Sequence, residues 1–295
     1  MNKDFSLLKG KTVVISGFGK NCGKTSFLNY LLSKIKGERG LLSAGTDGED
    51  FDSLSGESKP KIKVFPGDIF ICDSRFSIPS VAPKILDTFE NGRLVMIKAQ
   101  REGFIKTAGP YGNHKFGDMI KSLLENGAQT VLIDGALDRI TQAAETNNCE
   151  LFYVARPSPQ SLKETVSKLK LLSALSEAPC LDKNKYFFKE ERNEPEIIGG
   201  TLFFPKALTS QKAEKIPKEA KKIVLEDLTK VFLDLSQWER FSLSKEIFFA
   251  KKIKLNAFIV NLYNISRKEF EKEAGSKVLA KTLYNPYEYS SFRGT

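Results

Sequence analysis

Histidine is almost missing from this chain, and its scarcity narrows the chemistry that the protein can perform. The 295 residues contain a single histidine, His114. A catalytic dyad or triad of the serine-hydrolase kind needs a histidine beside its nucleophile. Such a mechanism is therefore excluded unless that one residue carries it.

Cysteine is also scarce, and the cysteines are scattered. The four of them, Cys22, Cys72, Cys149 and Cys180, form no C-x-x-C pair, and no histidine-rich cluster accompanies them. Zinc sites and disulfide frameworks need closely and regularly spaced ligands or cysteines. Reduced thiols, as in a cytosolic protein, are the expectation.

Long apolar runs are missing as well. No stretch approaches the roughly eighteen apolar residues of a membrane span. The first residues are polar, which favours a cytoplasmic protein without a signal peptide. The net charge of +10 is spread along both halves of the chain rather than gathered in one stripe. Neither nucleic acid nor a membrane is therefore an expected partner.

Short β-rich runs alternate with helical patterns, which is typical of βαβ units. The predicted strands are residues 12–16, 41–44, 69–72, 94–99, 130–134, 151–154, 223–225, 231–235 and 257–262. The predicted helices follow Gly23 and cover residues 115–126 and 161–175. The pattern predicts an α/β fold with a mostly parallel sheet flanked by helices. The polar residues 182–196 suggest a boundary between residues 1–181 and a C-terminal α/β lobe, 182–295, which can complete the same sheet.

A strand, a glycine-rich turn and an amphipathic helix follow one another in KTVVISGFGKNCGKTSFLNYLL, residues 11–32. The usual phosphate-binding loop is G-x-x-x-x-G-K-[ST], but Phe18 holds the place of its first glycine and Gly17 stands one position earlier. Backbone N–H groups converge on phosphate in such a loop. Lys24 then reaches the β- and γ-phosphates, and the hydroxyl of Thr25 binds Mg²⁺. An ordinary glycine-rich turn is the alternative.

The longer loop resembles that of the dethiobiotin synthetase branch of P-loop proteins. The nucleotide-binding residues predicted in it are Gly17, Gly19, Lys20, Asn21, Cys22, Gly23, Lys24, Thr25 and Ser26. The resemblance implies two acids at strand ends that help to hold Mg²⁺, and Asp47 and Asp134 occupy such places, where parallel sheets bind ligands. Glu49, Asp50 and Asp52 compete with Asp47 for this role.

The chain has no N-K-x-D or T-K-x-D sequence, the guanine-reading signature of GTPases. The sequence AFIVNLYN instead ends a predicted strand at Asn261. It resembles the strand-end asparagine with which this class contacts the nucleotide base, which favours ATP over GTP. A loop asparagine that caps a turn is the alternative.

An ordered series of motifs carries a more specific resemblance: KNCGKTSFLNYLL, GLLSAGTDGED, KPKIKVFPGD, REGFIKTAGP and VLIDGALDR, with VLEDLTKVFL and KLNAFIVNLYN near the C-terminus. The series resembles the P-loop subunit of the reactivases that serve adenosylcobalamin-dependent aminomutases of the lysine 5,6-aminomutase and ornithine aminomutase type. The residues after Arg139 (ITQAAETNN) and after Asn261 depart from that pattern.

The resemblance implies a chaperone-like P-loop ATPase that is slow without its partner. Such a protein uses ATP and Mg²⁺ to release damaged cobalamin from the mutase. The implied partners are a cobalamin-dependent aminomutase and a second reactivase subunit, and a homodimer is left open. The chain lacks the D-x-H-x-x-G cobalamin-binding motif, so it is not expected to hold cobalamin through histidine.

Two other functions remain open. The first is a dethiobiotin synthetase-like ligase, in which Lys20, Lys24 and Arg139 would neutralise charge on a phosphorylated carboxylate. That branch has a substrate lysine followed by proline after its second strand, where this chain has the acidic TDGED. The second is a nucleotide-binding regulator with little turnover, since no residue stands out as a general base for water. The candidate catalytic residues are Lys24, Lys20 and Asp134, and the candidate metal ligands are Thr25, Asp47 and Asp134.

Overall fold

The computed structural model describes residues 4–19, 21–43, 61–76, 78–110, 114–135, 149–181 and 194–285. Their strands are β1 (Thr12–Gly17), β2 (Arg39–Ser43), β3 (Ile62–Val64), β4 (Ile69–Asp73), β5 (Pro83–Phe89), β6 (Leu94–Ala99), β7 (Gly103–Ile105), β8 (Thr130–Asp134), β9 (Cys149–Ala155), β10 (Glu196–Ile198), β11 (Thr201–Phe204), β12 (Leu208–Thr209), β13 (Lys222–Leu225), β14 (Val231–Phe232), β15 (Glu246–Phe249), β16 (Lys254–Val260) and β17 (Thr282–Tyr284). Their helices are α1 (Lys24–Lys34), α2 (His114–Glu125), α3 (Leu162–Glu177), α4 (Ser210–Glu214), α5 (Leu235–Leu243), α6 (Arg267–Ala274) and α7 (Ser276–Leu279). None of these described helices is long and apolar enough to cross a bilayer.

Within the described residues, nine strands form one sheet in the order β17-β16-β9-β1-β8-β2-β4-β6-β5. The strands from β9 to β4 pair in parallel, whereas β6 and β5 continue the sheet antiparallel. Every residue of β2, β4 and β9 is buried, as expected for parallel strands covered on both faces. Helix α1 packs on β1 and β8, and α2 packs on β2 and β8. The predicted α/β fold with a mostly parallel sheet flanked by helices is confirmed.

The carboxyl end of α1 is fixed by a buried arginine on β2. Arg39 is 6% exposed, and its Nε and Nη2 each donate to a carboxylate oxygen of Asp68 at 2.7 Å. Its Nη1 donates to the carbonyl oxygen of Ile35 at 3.0 Å and to that of Leu32. Carbonyl groups in the last turn of a helix have no partner inside the helix. One guanidinium therefore caps α1 and pairs with a buried acid.

Two compact units make up the chain. The first contains residues 1–155, 259–261 and 283–295, and the second contains residues 156–258 and 262–282. In the second unit, α3 packs against α5, α6 and α7. The expected division into residues 1–181 and 182–295 had α3 in the first part, whereas the structure has it in the second unit. The helix follows strands of the first sheet in sequence but packs with later helices.

The second unit has its own sheet, in the order β10-β11-β13-β15, and its last three strands are parallel. The helices α4, α5, α6 and α7 of this unit were not predicted. Two of them, α5 and α6, begin with a capping box, Asp234 with Gln237 and Ser266 with Glu269. This spacing of a cap and a Gln or Glu is a sequence signal for a helix start. The predicted strand 231–235 is therefore too long, since β14 ends at Phe232 and Asp234 caps α5.

A buried acid follows the central strand β13. Asp227 is 0% exposed, and its Oδ1 accepts the Thr229 N–H at 2.7 Å. Its Oδ2 has no hydrogen-bond partner among the described residues. Burial, with a smaller contribution from Glu226, raises the pKa of Asp227 from 3.8 to about 6, against the Thr229 hydrogen bond. The second unit thus contains a carboxyl group whose ionisation opposes folding.

Replacement of Asp227 by asparagine is expected to stabilise the second unit above pH 6. Because its folded pKa lies above the unfolded one, the wild type loses stability as pH rises from about 4 to 6 and stays less stable above. A rise from 3.8 to about 6 in pKa corresponds to at most about 3 kcal/mol. Asparagine keeps the cap on Thr229. Thermal unfolding between pH 4.5 and 8 should show a smaller pH dependence in Asp227→Asn.

The control is Asp234→Asn, which removes an acid at the solvent-exposed cap of α5. Hydrogen bonds from Gln237 and Ser236 lower the pKa of Asp234, so its charge favours folding. This variant should therefore not gain stability at pH 8. Equal thermal midpoints of Asp227→Asn and the wild type at pH 8 would contradict the conclusion that the ionised Asp227 destabilises the second unit.

Candidate functional site

The carboxyl end of β1 leads into the glycine-rich loop and meets β9 there. The Phe18 N–H donates to the Val154 carbonyl oxygen at 3.1 Å. A Cβ atom at Gly17 would lie 2.5 Å from that same oxygen and 2.7 Å from the Cys22 Sγ. Any larger residue would therefore push the loop away from β9. Gly17, rather than the usual position one residue later, is where this loop needs glycine.

Three described residues of the loop have positive φ angles. Their φ angles are 82° at Gly19, 57° at Asn21 and 100° at Gly23. Asparagine is among the few residues other than glycine that tolerate positive φ. Gly23 is the N-cap of α1 and offers no capping side chain. No side chain of the N-cap therefore competes with a ligand for the N–H groups of the first helical turn.

Lys24 bends back over the loop. Its Nζ donates to the Gly19 carbonyl oxygen at 3.0 Å and lies 3.8 Å from the Cys22 Sγ. A cation is therefore held at the mouth of the loop, beside the N-terminus of α1, where the helix dipole also favours an anion. Both features attract negative charge to the same place.

Thr25 and Asp134 meet because helix α1 follows β1, the strand next to β8. Strands β1 and β8 pair in parallel, so the start of α1 and the end of β8 share one edge of the sheet. The Thr25 hydroxyl donates to Asp134 Oδ2 at 3.4 Å. Mg²⁺ prefers hard oxygen ligands and usually binds through one or two carboxylates, waters and phosphate oxygens. A hydroxyl beside a carboxylate fits that ion, although the described residues contain no cluster of three His, Cys, Asp or Glu ligands.

Cys22 is a buried part of the loop. Its side chain is 2% exposed, and burial raises the pKa of its thiol although Lys24 opposes the rise. The neighbouring Tyr153 is buried as well, which raises the pKa of its hydroxyl to about 12. A buried thiol with a raised pKa is a poor nucleophile. The Cys22 side chain therefore packs inside the loop, and a ligand would contact this residue through its backbone.

Asn261 lies beside the loop although it is distant in sequence. It is 9% exposed, and its N–H donates to the Ala155 carbonyl oxygen at 2.8 Å. Its side-chain Nδ2 donates to the Cys22 carbonyl oxygen at 2.7 Å. Its Oδ1 is buried and has no hydrogen-bond partner among the described residues. Contact with a nucleotide base stays a prediction, whereas the contact with the loop is observed.

An ion-pair cluster at the end of β4 was missed by the sequence interpretation. Asp73 is 3% exposed and accepts from Arg75 at 2.8 and 2.7 Å, which lowers the pKa of Asp73 to about 2. The Nη1 atom of Arg93 lies 4.0 Å from Asp73 Oδ2, and its Nη2 donates to the Gly109 carbonyl oxygen at 3.0 Å. The signal was present, since IFICD ends an apolar strand in an acid just as VLID does at Asp134.

Several predicted site residues lie outside the described part of the chain. They are Lys20 and Asp47, together with Glu49, Asp50, Asp52 and Arg139. Ser26 lies half-buried in the first turn of α1. The structure therefore brings together Gly17, Cys22, Lys24, Thr25, Asp134 and Asn261, all in the first unit.

Comparison of the chain with protein-family models gives no match, and comparisons with curated proteins and with solved structures give none either. The function proposed for the site therefore depends on its geometry and on the motifs of the sequence.

Proposed function

We propose that this chain is a P-loop ATPase that binds MgATP in the loop from Gly17 to Thr25. The observation that carries the proposal is the convergence of Lys24, Thr25 and Asp134 at the carboxyl edge of a parallel sheet. Ligands of open α/β sheets bind at this edge. A cation, a hydroxyl and a carboxylate in this arrangement match the needs of a triphosphate with its metal ion.

A triphosphate would give the ammonium group of Lys24 a charged hydrogen-bond partner. Its ammonium group now donates to a neutral carbonyl oxygen, that of Gly19. A phosphate oxygen is a charged acceptor, so this bond would add the attraction between opposite charges that a neutral carbonyl oxygen does not provide. Transfer of Nζ from the carbonyl to a phosphate bound in the loop would thus be favourable.

Mg²⁺ would be held by the Thr25 hydroxyl and the Asp134 carboxylate, with Asp47 as the further ligand expected from the sequence. When bound, the ion neutralises charge on the phosphates. The residues of this chain orient the triphosphate and keep its metal beside the loop. Positioning and charge neutralisation provide most of the catalysis in phosphoryl transfer.

The finer proposal is that the ATPase serves a reactivase. The motifs between residues 20 and 139 support a chaperone-like component that releases damaged cobalamin from an aminomutase, with a second subunit as partner. ATP can shift a partner between two conformations only if the ATP and ADP forms bind them with different affinity. Weak ATPase activity alone and stimulation by the partner follow from this coupling.

Loss of the loop lysine is the direct test of nucleotide binding. Lys24→Ala is expected to weaken MgATP binding by about 2–4 kcal/mol, because a charged partner of the phosphates is removed. Isothermal titration calorimetry measures the change. Lys34→Ala, which removes the same charge from the exposed end of the same helix, is the control and should bind as the wild type does. Equal affinity of Lys24→Ala and the wild type would overturn the P-loop assignment.

The reactivase role has its own test. An adenosylcobalamin-dependent aminomutase of this type is inactivated by turnover, and this protein, its partner subunit, ATP, Mg²⁺ and fresh cofactor are then added. Recovery of activity that requires ATP and fails with Lys24→Ala is the expected result. Stoichiometric phosphorylation of a small carboxylic acid, without any recovery, would favour the ligase instead.

A further inference from the structure

The phosphate loop is attached to neighbouring strands at both of its ends. At the start, the Phe18 N–H is bound to Val154 of β9 at 3.1 Å. Near its end, the Cys22 carbonyl group accepts from Asn261 Nδ2 at 2.7 Å. Asn261 is itself held by its backbone, which donates to Ala155 of the same strand β9. Strand β9 thus anchors the start of the loop directly and its end through one side chain.

The orientation of the Asn261 amide is determined by chemistry. A carbonyl oxygen only accepts hydrogen bonds, so the amide must present its NH₂ group to Cys22. The Oδ1 atom then points elsewhere, and it is buried. A base amino group would have to displace neighbouring atoms before it reached this acceptor. The observed contact therefore serves the loop.

We propose that Asn261 is a positioning residue of the phosphate loop, one that holds the Cys22–Gly23 peptide in the orientation that binds phosphate. The proposal rests on the proposed function. The peptide group is planar and trans, so its C=O and N–H point in opposite directions. When the Cys22 carbonyl is fixed on Asn261, the Gly23 N–H is fixed pointing away from it.

The loop needs this anchor because its conformation is costly. Gly23, which belongs to this peptide, and Asn21, which comes just before it, both have positive φ. A glycine beside the peptide gives the unbound loop many other conformations of similar energy. Each unproductive conformation lowers the apparent affinity for a ligand that binds only one of them. A side chain that selects the productive peptide orientation thus raises affinity for the phosphates, whichever base they carry.

Asn261→Ala is expected to weaken binding of MgATP, MgCTP and inorganic tripolyphosphate by the same factor, about tenfold. The factor corresponds to one hydrogen bond and a carbonyl group left without its partner. Titration calorimetry is done at a temperature where circular dichroism shows the variant to be fully folded, and there a merely structural role would leave the dissociation constant unchanged.

The variant Asn261→Asp distinguishes positioning of the loop from recognition of a nucleotide base. Aspartate keeps an acceptor for a base but places a carboxylate oxygen against the Cys22 carbonyl, so positioning predicts a larger loss than with alanine. Asn126→Ala is the control, since the Asn126 side chain donates to the Ser122 carbonyl at 2.9 Å far from the loop in sequence. It should bind all three ligands as the wild type does.

Three results would overturn the inference. The first is a loss confined to MgATP in Asn261→Ala, which would assign the side chain to base recognition. The second is unchanged affinity for tripolyphosphate, and the third is wild-type affinity in Asn261→Asp. A wild type that binds none of the ligands would instead refute the phosphate-loop proposal itself, and the two failures are thus distinguishable.

Discussion

Asp134→Asn is expected to lower ATP hydrolysis at least about 100-fold while Mg²⁺-free ATP still binds. Asp134 ends the strand beside the loop, and its carboxylate lies 3.4 Å from the Thr25 hydroxyl. Asparagine keeps the size and one oxygen of the side chain but removes the negative charge that would hold Mg²⁺. A 100-fold loss corresponds to about 2.7 kcal/mol, within the several kcal/mol that a bound metal ion contributes.

Phosphate release measures the rate, and titration with and without Mg²⁺ separates metal binding from nucleotide binding. Asp118→Asn is the matched control, because it makes the same change at an exposed position of α2. Its rate should equal that of the wild type. Full turnover in Asp134→Asn would show that Asp134 is only a strand-end acid and that the metal ligands lie elsewhere.

Arg39→Ala is expected to destabilise the first unit by about 3–5 kcal/mol. Asp68 is 1% exposed and accepts two hydrogen bonds from the guanidinium group. Removal of one partner of a buried ion pair leaves the other charge without compensation, and this accounts for the large cost. The carbonyl groups at the end of α1 lose their cap in the same variant. Thermal or urea unfolding measures the difference.

Arg75→Ala is the control for burial. The Arg75–Asp73 pair has almost the same two-hydrogen-bond geometry, at 2.8 and 2.7 Å, but the Arg75 side chain is 78% exposed. The Asp73 carboxylate is buried, but the exposed Arg75 is readily solvated and Arg93 stays 4.0 Å from the carboxylate, so Arg75→Ala is expected to cost less than Arg39→Ala. A loss of equal size in the two variants would mean that burial is not what makes the Arg39 pair strong.

The replacements of Asp134 and Arg39 act near opposite ends of helix α1. Helix α1 begins at the phosphate loop, near Asp134, and ends on the Arg39 guanidinium group. Contacts at both ends of α1 therefore hold the helix that follows the loop. A destabilised Arg39 variant should be tested for ATP binding at low temperature, where its folded fraction is largest.

The sequence alone determined the features that depend on neighbours along the chain. The strand β1, the turn and the helix α1 were predicted because their apolar spacing and glycines lie within one short stretch. Strand β8 and its terminal Asp134 were predicted in the same way. The capping boxes at Asp234 and Ser266 were equally local, and attention to them would have predicted α5 and α6.

Only the tertiary structure decided which distant residues meet. Asn261 and Cys22 are 239 positions apart, and Arg39 and Asp68 are 29 apart. Periodicity reports which face of an element is buried, but it carries no information on the partner that covers that face. The pairing of β16 with β9 and of β9 with β1 placed Asn261 at the loop, and the packing of α3 with later helices set the division into units. Both depend on contacts between segments that no local pattern encodes.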